Sequence, residues 1–460
     1  MSTATAQSRR VQPNDELSDA KTETETGTET ETETESTSVL VISQLFPPES
    51  MAGAHRWEML LRNVPDSVES RVVCPQPSVP VGEFDRRYSL WSNERVDDVP
   101  VTRLFTYQPT ADRSNLERIL NHVIFAVLAT VYVLVHGRKY DSVVVQVGPH
   151  TTLVPGLAAM ATGRGLVVDV YDLWLDNAVD FGFTDERSLA YRLLRQLERI
   201  AVEGCDHLVV LTPTMADQYR SKYDLDETPV TAVPFGVDDE RFAPSPSADD
   251  ADRIIYTGKL GEGQAFEPYL RGFERLDTDC DCDCELVIYG FGERRDELET
   301  LVSRLGIEDR VRINGPVPRE EIPGLVASSA VSLVPLKTEH TLDYARPTKF
   351  LETMAVGTPY VASAVAEIDA VTRDAGAGLA VANDPDTIAA ALRELLSDPE
   401  RRRTMGERGV AFIDDNHRWD DLGSDIGDVL LTVAARTRPS LSTRVGARVR
   451  ETAATLLSRL

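Results

Sequence analysis

One short segment in the second half of the chain combines a threonine, a lysine and a glutamate at a spacing suited to a nucleotide. Residues 346–359 have the sequence RPTKFLETMAVGTP, and Pro347 favours the first turn of a helix. Thr348 and Lys349 then lie where free N–H groups and a cation can hold a phosphate. Glu352 follows Thr348 by one turn on the same face, so its carboxylate can accept both hydroxyls of a ribose. The segment therefore predicts a site for the phosphate and ribose of a nucleotide.

A second phosphate-binding turn is predicted at residues 258–261, which have the sequence GKLG and follow an apolar run. An ammonium beside backbone N–H groups at the start of a helix suits a diphosphate. Lysine is scarce in this chain, with six among 48 basic residues, so a surface position would more often hold arginine. The lysine at position 259 therefore favours a functional role for this turn.

Two turns in the first half of the chain carry candidate contacts for a substrate. Gly53 and Ala54 lie at the start of a predicted helix, where small residues let a ligand approach the backbone. Tyr171 and Asp172 follow another apolar run, and a carboxylate at such a strand end faces the cleft of an α/β domain. From these residues alone two alternatives stay open, namely tight packing at Gly53 and an N-cap role for Asp172.

The elements that position these turns follow from the apolar pattern, which predicts two doubly wound α/β domains with parallel sheets. Short apolar runs without alternation suit strands that are buried on both faces. The runs alternate with helical stretches, which indicates βαβ units. The predicted strands are residues 39–43, 71–74, 101–104, 142–147, 166–171, 207–211, 230–233, 253–257, 286–289, 311–313, 331–334, 359–362 and 378–381.

A break rich in proline and aspartate at residues 234–246 separates the two series of runs. We expect a first domain over residues 38–238 and a second over residues 239–410. Helices at residues 411–435 are expected to return toward the first domain. Residues 1–37 repeat threonine and glutamate and are predicted to be disordered, because they cannot bury enough apolar surface to offset the entropy of ordering.

The charge balance argues against nucleic acid as a partner. The chain has 75 acidic and 48 basic residues, a net charge of −27. Binding to the phosphates of a nucleic acid needs a basic face. An acidic, lysine-poor surface stays hydrated where salt screens repulsion, so the composition resembles that of halophilic archaeal proteins, with an acidic mesophilic protein as the alternative.

The cysteines predict neither a disulfide framework nor a metal centre. Five cysteines are present, and three of them, Cys280, Cys282 and Cys284, lie close together. Zinc sites prefer wider ligand spacing, so we interpret this stretch as an acidic surface loop. No apolar stretch follows Arg9 and Arg10, so no signal peptide is predicted and the expected location is the cytoplasm.

Two segments favour contact with a membrane surface. Residues 119–135 are almost continuously apolar and near the lower length limit for a membrane span. A span there would separate strands of one sheet, so a buried or membrane-facing helix is favoured. Residues 436–460 form a basic amphipathic tail, which suits either an anionic lipid surface or the protein's own acidic surface. A peripheral position on the inner face of the cell membrane is therefore one expectation.

Together these motifs resemble the retaining GT-B glycosyltransferases of glycosyltransferase family 4, over about residues 39–431. The fold that this resemblance implies has two Rossmann-like domains facing each other across a cleft. The implied reaction moves a sugar from a UDP- or GDP-linked donor to a glycan or polyprenyl-phosphate-linked acceptor, with retention of anomeric configuration. The donor would bind the second domain and the acceptor the first. The resemblance is carried by residues 43–49, 172–174, 236–238, 242, 258–261, 290–292, 315–318 and 347–359.

The resemblance also assigns residues to roles. It places Lys259 and Lys349 on the diphosphate and Glu352 on the ribose, and it adds Asp172 to the catalytic centre. It implies no metal or other cofactor. The implied donor contacts are Gly258, Lys259, Gly290, Phe291, Val317, Thr348, Lys349, Phe350 and Glu352. The implied contacts of the acceptor or the transferred sugar are Gly53, Ala54, His150, Tyr171 and Asp172.

The chain departs from the family pattern at Tyr344, Tyr171 and Phe235, where many members have a glutamate, a histidine and an asparagine. The glutamate replaced by Tyr344 usually contacts the donor sugar. Two alternatives to a transferase therefore stay open. One is a sugar-nucleotide epimerase on the same architecture, and the other is a non-catalytic GT-B scaffold subunit.

Overall fold

The structure of the chain is a computed structural model that describes residues 36–49, 51–110, 115–244, 252–276, 284–338 and 342–436. These described residues belong to one compact unit. Three features predicted from sequence lie outside them: the disordered segment up to residue 35, the stretch that includes Cys280 and Cys282, and the basic tail from residue 437 onward.

The first domain is built on an eight-stranded sheet. Its strands are β1 (Thr37–Ile42), β2 (Val68–Pro75), β3 (Trp91–Val96), β4 (Val99–Leu104), β5 (Ser142–Val147), β6 (Gly165–Val170), β7 (His207–Val210) and β8 (Val230–Ala232). The spatial order is β3-β4-β2-β1-β5-β6-β7-β8. Neighbouring strands are parallel except β3 and β4, which form an antiparallel hairpin.

The second domain is built on a six-stranded, wholly parallel sheet. Its strands are β9 (Arg253–Lys259), β10 (Glu285–Phe291), β11 (Val311–Asn314), β12 (Val331–Val334), β13 (Tyr360–Ser363) and β14 (Gly378–Val381). The spatial order is β11-β10-β9-β12-β13-β14. Each pair of consecutive strands is therefore joined by a crossover rather than by a hairpin.

Helices make these crossovers. The first domain has α1 (Ala52–Arg62), α2 (Asn115–His136), α3 (Leu153–Ala161), α4 (Trp174–Asp180), α5 (Leu189–Gly204) and α6 (Pro213–Lys222). From the second domain onward the helices are α7 (Phe266–Glu274), α8 (Arg295–Leu305), α9 (Ile322–Ala327), α10 (Thr348–Ala355), α11 (Ala366–Ala375), α12 (Pro385–Ser397), α13 (Pro399–Asn416) and α14 (Trp419–Ala435).

Helices cover both faces of the first sheet, which explains why its central strands are apolar throughout. Every residue of β5 and β6 is buried. The chain moves one way along the sheet from β1 to β2 and the other way from β5 onward. Right-handed crossovers therefore put α1 on one face and α2, α3 and α5 on the other. Helix α14 returns from the second domain and packs on α1, where Gly423 lies against Asn63 and Gly427 against Pro65.

The prediction of two parallel-sheet α/β domains is confirmed, and every predicted apolar run overlaps a strand. Strand β3 was missed. Its sequence, WSNERV, alternates between exposed and partly buried positions, as an antiparallel edge strand does. Asp97 and Asp98, both with positive φ, make the tight turn to β4. The alternation and the paired aspartates were the available signals, but the polar composition hid them.

Arg56 and Asp169 form a fully buried ion pair that joins α1 to β6. Both Nε and Nη2 of Arg56 donate to the carboxylate, and the distance from Nη2 to Oδ1 is 2.9 Å. Arg56 also donates to two carbonyls that lead into the second domain, those of Val233 and Pro234. The pair thus fixes the start of α1 relative to the end of β6, which are the two places where substrate contacts are predicted.

We expect Asp169→Ala to lower the free energy of unfolding by about 3–5 kcal/mol, because it leaves a buried guanidinium without its counter-charge. Urea denaturation at one fixed salt concentration measures the change. Asp217→Ala is the matched control, since it removes an exposed partner of Arg220 and should cost less than about 1 kcal/mol. Equal losses in the two variants would show that the buried pair has no special role.

Candidate active site

The carboxyl ends of the strands of both sheets meet at one cleft. In the loop after β6, the Leu173 N–H donates to the Tyr344 hydroxyl of the second domain at 3.2 Å. Thr212, after β7, donates to the Tyr344 carbonyl at 3.0 Å. The turn after β9 faces the end of α4, because a Cβ added at Gly263 would lie 3.6 Å from the ring of Phe181. Ligands of parallel sheets bind at carboxyl ends, so this cleft is the candidate site.

Lys349 lies in the first turn of α10, against the carboxyl end of β9. The helix begins at Thr348, and Pro347 is its N-cap residue. The Nζ of Lys349 donates to the Tyr256 hydroxyl at 2.6 Å and lies 4.1 Å from the centre of the Tyr256 ring. A Cβ added at Gly258 would lie 2.8 Å from this Nζ. The two phosphate-binding motifs predicted from sequence are therefore neighbours in space.

The charge on Lys349 is poorly compensated by the protein groups around it. Burial lowers the pKa of its ammonium to about 7, and the nearby Glu352 carboxylate opposes part of that shift. The ammonium has exchanged water for an aromatic face and one hydroxyl, which stabilise a cation less than full hydration does. A phosphate anion at this turn would favour the protonated form again.

Glu352, one turn further along α10, is held by an arginine that sequence reasoning missed. The Nη2 of Arg319 donates to Oε1 of Glu352 at 3.3 Å. Burial raises the pKa of Glu352, whereas Arg319 and Lys349 lower it. Val317 is half-buried in the same loop, after β11. Nothing in the local sequence separates Arg319 from other surface arginines, since its partner lies on a different element.

The ends of β9 and β10 touch backbone to backbone beside the start of α10. Lys259 and Phe291 pair in register, and the Leu260 N–H donates to the Phe291 carbonyl at 2.7 Å. A Cβ at Gly290 would collide with the carbonyl of Gly258, so glycine is required for this approach. The predicted donor contacts at 258–261 and 290–292 thus form one double turn, with the Phe291 ring exposed on it.

The second predicted phosphate-binding lysine lies at the rim of this turn. The side chain of Lys259 is 65% exposed, and its Nζ is 3.7 Å from Oε2 of Glu293. Its ammonium is therefore hydrated and near a carboxylate, unlike that of Lys349. The structure brings Lys349 against the turn and leaves Lys259 to reach a ligand from solvent.

Phe350, one of the predicted donor contacts, has its side chain in the core. Its side chain is fully buried and packs on Tyr360 with ring centroids 4.7 Å apart. Helix α10 turns its apolar side to the core, while Lys349 and Glu352 are on the half-buried side. Phe350 therefore anchors the helix, and only its backbone could approach a ligand.

In the first domain, Tyr171 fills the space between two glycine turns. A Cβ at Gly53 would lie 2.8 Å from the Tyr171 hydroxyl, and one at Gly148 would lie 2.6 Å from it. The Tyr171 ring meets Phe235 edge-on, with centroids 6.5 Å apart. Ala54 is buried beside Gly53. Gly53 is thus tightly packed against Tyr171, as the packing alternative expects. A ligand at this turn would lie next to the tyrosine.

His150 is buried against a polar cluster on α5. Its Nε2 lies 3.5 Å from Oε1 of Glu198, and Arg195 binds the other oxygen of that carboxylate at 2.9 Å. Burial opposes ionisation of Glu198, but the contacts with His150, Tyr219 and Arg195 lower its pKa to about 2. The ring also lies close enough to Asp172 to interact with it electrostatically, which places it near the cleft.

Asp172 and Tyr344 form a hydrogen bond across the cleft. The Tyr344 hydroxyl donates to Oδ1 of Asp172, and Nδ2 of Asn177 donates to both groups, at 2.7 Å to Asp172 and 2.9 Å to Tyr344. Burial raises the pKa of Asp172, while the two hydrogen bonds oppose the rise. The N-cap alternative is wrong, because Leu173 is the N-cap of α4. The tyrosine that replaces a glutamate of the family pattern therefore ties the two domains together.

Arg346, the first residue of the 346–359 motif, makes a second connection between the domains. Its guanidinium binds Glu367, whose other oxygen accepts from Thr214 of the first domain at 2.7 Å. Arg346 also lies 3.2 Å from Nε2 of His417, whose Nδ1 is 2.8 Å from the Phe235 carbonyl. Burial and the charge of Arg346 lower the pKa of His417 to about 4, so its ring is neutral at pH 7. These contacts hold the start of α10 in place.

Within the residues that the structure describes, no group of three or more histidine, cysteine, aspartate or glutamate side chains could hold a metal ion. Cys284, the last cysteine of the predicted surface loop, is buried. The polar groups of the cleft include the ammonium groups of Lys349 and Lys259, the carboxylates of Asp172 and Glu352, and the Tyr344 hydroxyl. They suit an anionic ligand with hydroxyl groups.

Two family models match the chain, one for each domain. Residues 53–236 match the glycosyl transferase 4-like domain, and residues 251–398 match the glycosyl transferases group 1 model. The first match begins at the Gly53 turn and ends in the connection to the second domain. The second match contains β9 to β14 and α10.

Curated relatives are similar over part of their length. A D-inositol 3-phosphate glycosyltransferase from Salinispora tropica is 31% identical over 270 residues, covering 53% of this chain and 55% of that protein. A GDP-mannose-dependent alpha-(1-6)-phosphatidylinositol monomannoside mannosyltransferase from Mycolicibacterium smegmatis is 29% identical over 211 residues, covering 43% of this chain and 55% of that protein. The chain thus spans about half the length of the curated relatives it matches.

Solved structures share the architecture across both domains. Sucrose-phosphate synthase from Thermosynechococcus elongatus has a TM-score of 0.67 at 17% identity and covers 87% of this chain and 99% of that one. Anabaena HepE in complex with UDP has a TM-score of 0.62 at 15% identity and covers 86% of this chain and 100% of that one. These likenesses show a GT-B fold. The first domain of the chain thus matches a glycosyl transferase 4-like model and the second a glycosyl transferases group 1 model, on a GT-B fold.

Proposed function

We propose that this protein transfers a sugar from a UDP- or GDP-linked donor to a glycan or lipid-linked acceptor, with retention of anomeric configuration. The observation that carries the proposal is the contact of Lys349, in the first turn of α10, with the carboxyl end of β9. Glu352 lies one turn further along the same helix. Retention is the part of the proposal that is supported by the family resemblance of the sequence motifs. In the proposed reaction the nucleotide sugar is a substrate, and no metal or other cofactor takes part.

In the proposed reaction, the barrier is departure of the nucleoside diphosphate from the anomeric carbon. Negative charge then grows on the diphosphate, and preorganised cations and N–H dipoles stabilise it most effectively. Lys349 and the free N–H groups of the first turn of α10 are already fixed in position by Pro347, Tyr256 and the packing of the helix. Lys259 supplies a second cation from the rim.

The nucleoside would lie beyond the diphosphate, along α10. Glu352 accepts from both ribose hydroxyls in this arrangement. Arg319, which already donates to Glu352, opposes the rise that burial causes in the pKa of that carboxyl and orients it. The loop with Val317 then borders the base. Arg319 is thus proposed as a positioning residue for the ribose contact.

The transferred sugar would lie between the double turn of the second domain and the loop after β6. Asp172 and Tyr344 present a carboxylate and a hydroxyl there, and both can hydrogen-bond a pyranose. The acceptor would approach from the turn that contains Gly53 and the ring of Tyr171. Two relatives act, by name, on D-inositol 3-phosphate and on a phosphatidylinositol monomannoside, which supports a phosphorylated or lipid-linked acceptor for this chain.

A screen of UDP-, GDP- and dTDP-sugars by thermal shift should identify a donor. A ligand present at a hundred times its Kd stabilises the folded state by about 2.7 kcal/mol, which raises the melting temperature measurably. The donor is then offered with inositol phosphate, glycan and lipid-phosphate acceptors, and NMR of the product determines the anomeric configuration. Isomerisation of the donor without transfer would instead favour an epimerase, and no binding of any nucleotide sugar would contradict the proposal.

Lys349→Ala should lower turnover about a hundredfold or more, because it deletes one preorganised electrostatic group at the leaving diphosphate. Initial rates with the identified donor and acceptor measure the loss. Arg304→Ala is the matched control, since it removes one positive charge from the same domain. Arg304 lies in the last turn of α8, at the opposite edge of the sheet from the cleft. Comparable rates in Lys349→Ala and Arg304→Ala would rule out the assigned role.

Donor affinity should fall as the pH rises through 7. The free site has a Lys349 pKa of about 7, and a bound diphosphate raises it, so the protonated form binds more tightly. Above pH 7 the protonated fraction of the free site falls, and the apparent affinity should drop up to about tenfold per pH unit. Calorimetry with a nucleotide sugar measures this, since its diphosphate has no ionisation near pH 7. Lys349→Arg should bind without that pH dependence, and an equal dependence in both proteins would overturn the assignment.

A further inference from the structure

Helix α2 presents an apolar face to solvent along its length. Ile119, Val123, Val127, Val131, Leu134 and Val135 recur every three or four residues, and each is at least 45% exposed. The opposite face of the helix packs into the first domain through Phe125, Ala129 and Val133, which are fully buried. The exposed apolar residues are therefore not needed to hold the helix in place.

Among the described residues, α2 and the turn after it form the one segment long and apolar enough to cross a membrane, and only 28% of its most apolar window is buried. A core helix of this composition would be mostly buried. A spanning helix is ruled out by the fold, because β4 and β5, on either side of α2 in the chain, belong to the same sheet. The remaining arrangement is a helix about 33 Å long that lies flat with one side uncovered.

Two neighbouring helices extend this surface. Helices α2, α3 and α5 cover the same face of the sheet, with α3 in contact with both others. Val154 on α3 is also exposed, as are Leu189, Leu193 and Ile200 on α5. We call the exposed apolar sides of α2, α3 and α5 the outer apolar face. Its extent over three helices separates it from the scattered single apolar residues that every protein surface has.

The rim of the outer apolar face is basic, in contrast to the rest of the chain. Residues 115–139 and α5 together have six lysines and arginines and three acidic residues, one of which, Glu198, is buried, whereas the whole chain has a net charge of −27. Arg138 and Lys139 are exposed at the end of α2, and Arg192 and Arg199 are exposed on α5. An apolar centre with basic ends is the pattern of a helix that lies in the headgroup layer of anionic lipids.

Charge also distinguishes the three partners that could bind the outer apolar face, namely the chain's own tail, a second copy of the chain and anionic lipid. The chain's own tail at residues 441–460 has four arginines and one glutamate, so its approach would bring like charges together. A second copy of the face would oppose its basic rim to itself. Anionic lipid headgroups complement the rim, and the acyl region accepts the apolar centre. We propose that the outer apolar face docks on the surface of an anionic lipid bilayer.

This docking would place the candidate site near the lipid surface. As a crossover helix, α2 runs antiparallel to its strands, so its N-terminal end lies at the edge of the sheet where the cleft opens. The acceptor side of the cleft is in this same domain. The docking proposal does not depend on sugar transfer, because it concerns binding of the full chain to vesicles without any donor.

Co-sedimentation of the full chain with vesicles of phosphatidylcholine and phosphatidylglycerol in equal parts, at low ionic strength, tests the proposal. Wild type should bind these vesicles, and Val127→Glu with Val131→Glu should bind about tenfold or more weakly, because the pair loses apolar burial and meets anionic headgroups. The control is Thr300→Glu with Ser397→Glu, which adds the same charge to exposed positions of the second domain and should bind like wild type. Circular dichroism and melting temperature verify folding.

A second variant keeps the apolar face and changes only its rim. Arg138→Ser with Lys139→Ser should weaken binding to the mixed vesicles by about tenfold and reduce its salt dependence, because each lost charge removes attraction to anionic lipid. This variant serves as the test if the glutamate pair does not fold. Deletion of residues 437–460 should leave vesicle binding in place.

Several outcomes would overturn the proposal. One is that wild type remains in the supernatant with mixed vesicles. Another is that wild type and a folded variant with Val127→Glu and Val131→Glu bind equally. A third is that deletion of residues 437–460 abolishes all binding. Sedimentation equilibrium without lipid could give a further result that overturns the proposal. A wild-type dimer that the glutamate pair converts to a monomer, with no vesicle binding by wild type, would assign the face to self-association.

Discussion

Parallel strands send all their carboxyl ends to one edge of a sheet, and the candidate site depends on this constraint in both domains. In the second sheet it brings the ends of β9 and β10 into backbone contact beside the first turn of α10. In the first sheet it brings the loops after β6 and β7 to the second domain. Residues far apart in the chain can therefore surround one ligand, and the turns between strand and helix carry the chemistry while the strands carry the core.

An anion bound in the cleft would compensate the positive charge of Lys349. A half-buried ammonium costs free energy unless a counter-charge or water compensates it, and Lys349 has a tyrosine ring and hydroxyl instead. Glu352, by contrast, already has Arg319 as its partner. The two groups of the candidate site are thus held differently, since the Glu352 carboxylate has a cationic partner and the Lys349 ammonium has an aromatic one.

The net charge of −27 is the background for two sets of cationic side chains that the structure describes. One is the start of α10 with its neighbouring turn, and the other is the rim of the outer apolar face. Helix α2 links the outer apolar face to the candidate site. Its buried side supports the first sheet, and its N-terminal end lies at the edge where the cleft opens. A lipid-linked acceptor would unite them, since its sugar or phosphate must reach the cleft while its chain stays in a bilayer.

The sequence by itself determined the fold class, the order of the strands along the chain and the helix that carries Lys349 and Glu352, because burial on both faces and helical spacing are local patterns. It did not reveal the edge hairpin at β3, whose polar residues mask its alternation. Only the tertiary structure decided that Phe350 belongs to the core, that Arg319 holds Glu352, and that Tyr344 reaches Asp172. Those contacts join residues on separate elements, 33 positions apart for Arg319 and Glu352 and 172 apart for Tyr344 and Asp172, so no local pattern encodes them. The contact of Arg319 with Glu352 arises when the second domain folds, whereas that of Tyr344 with Asp172 arises only when the two sheets turn their carboxyl edges toward each other.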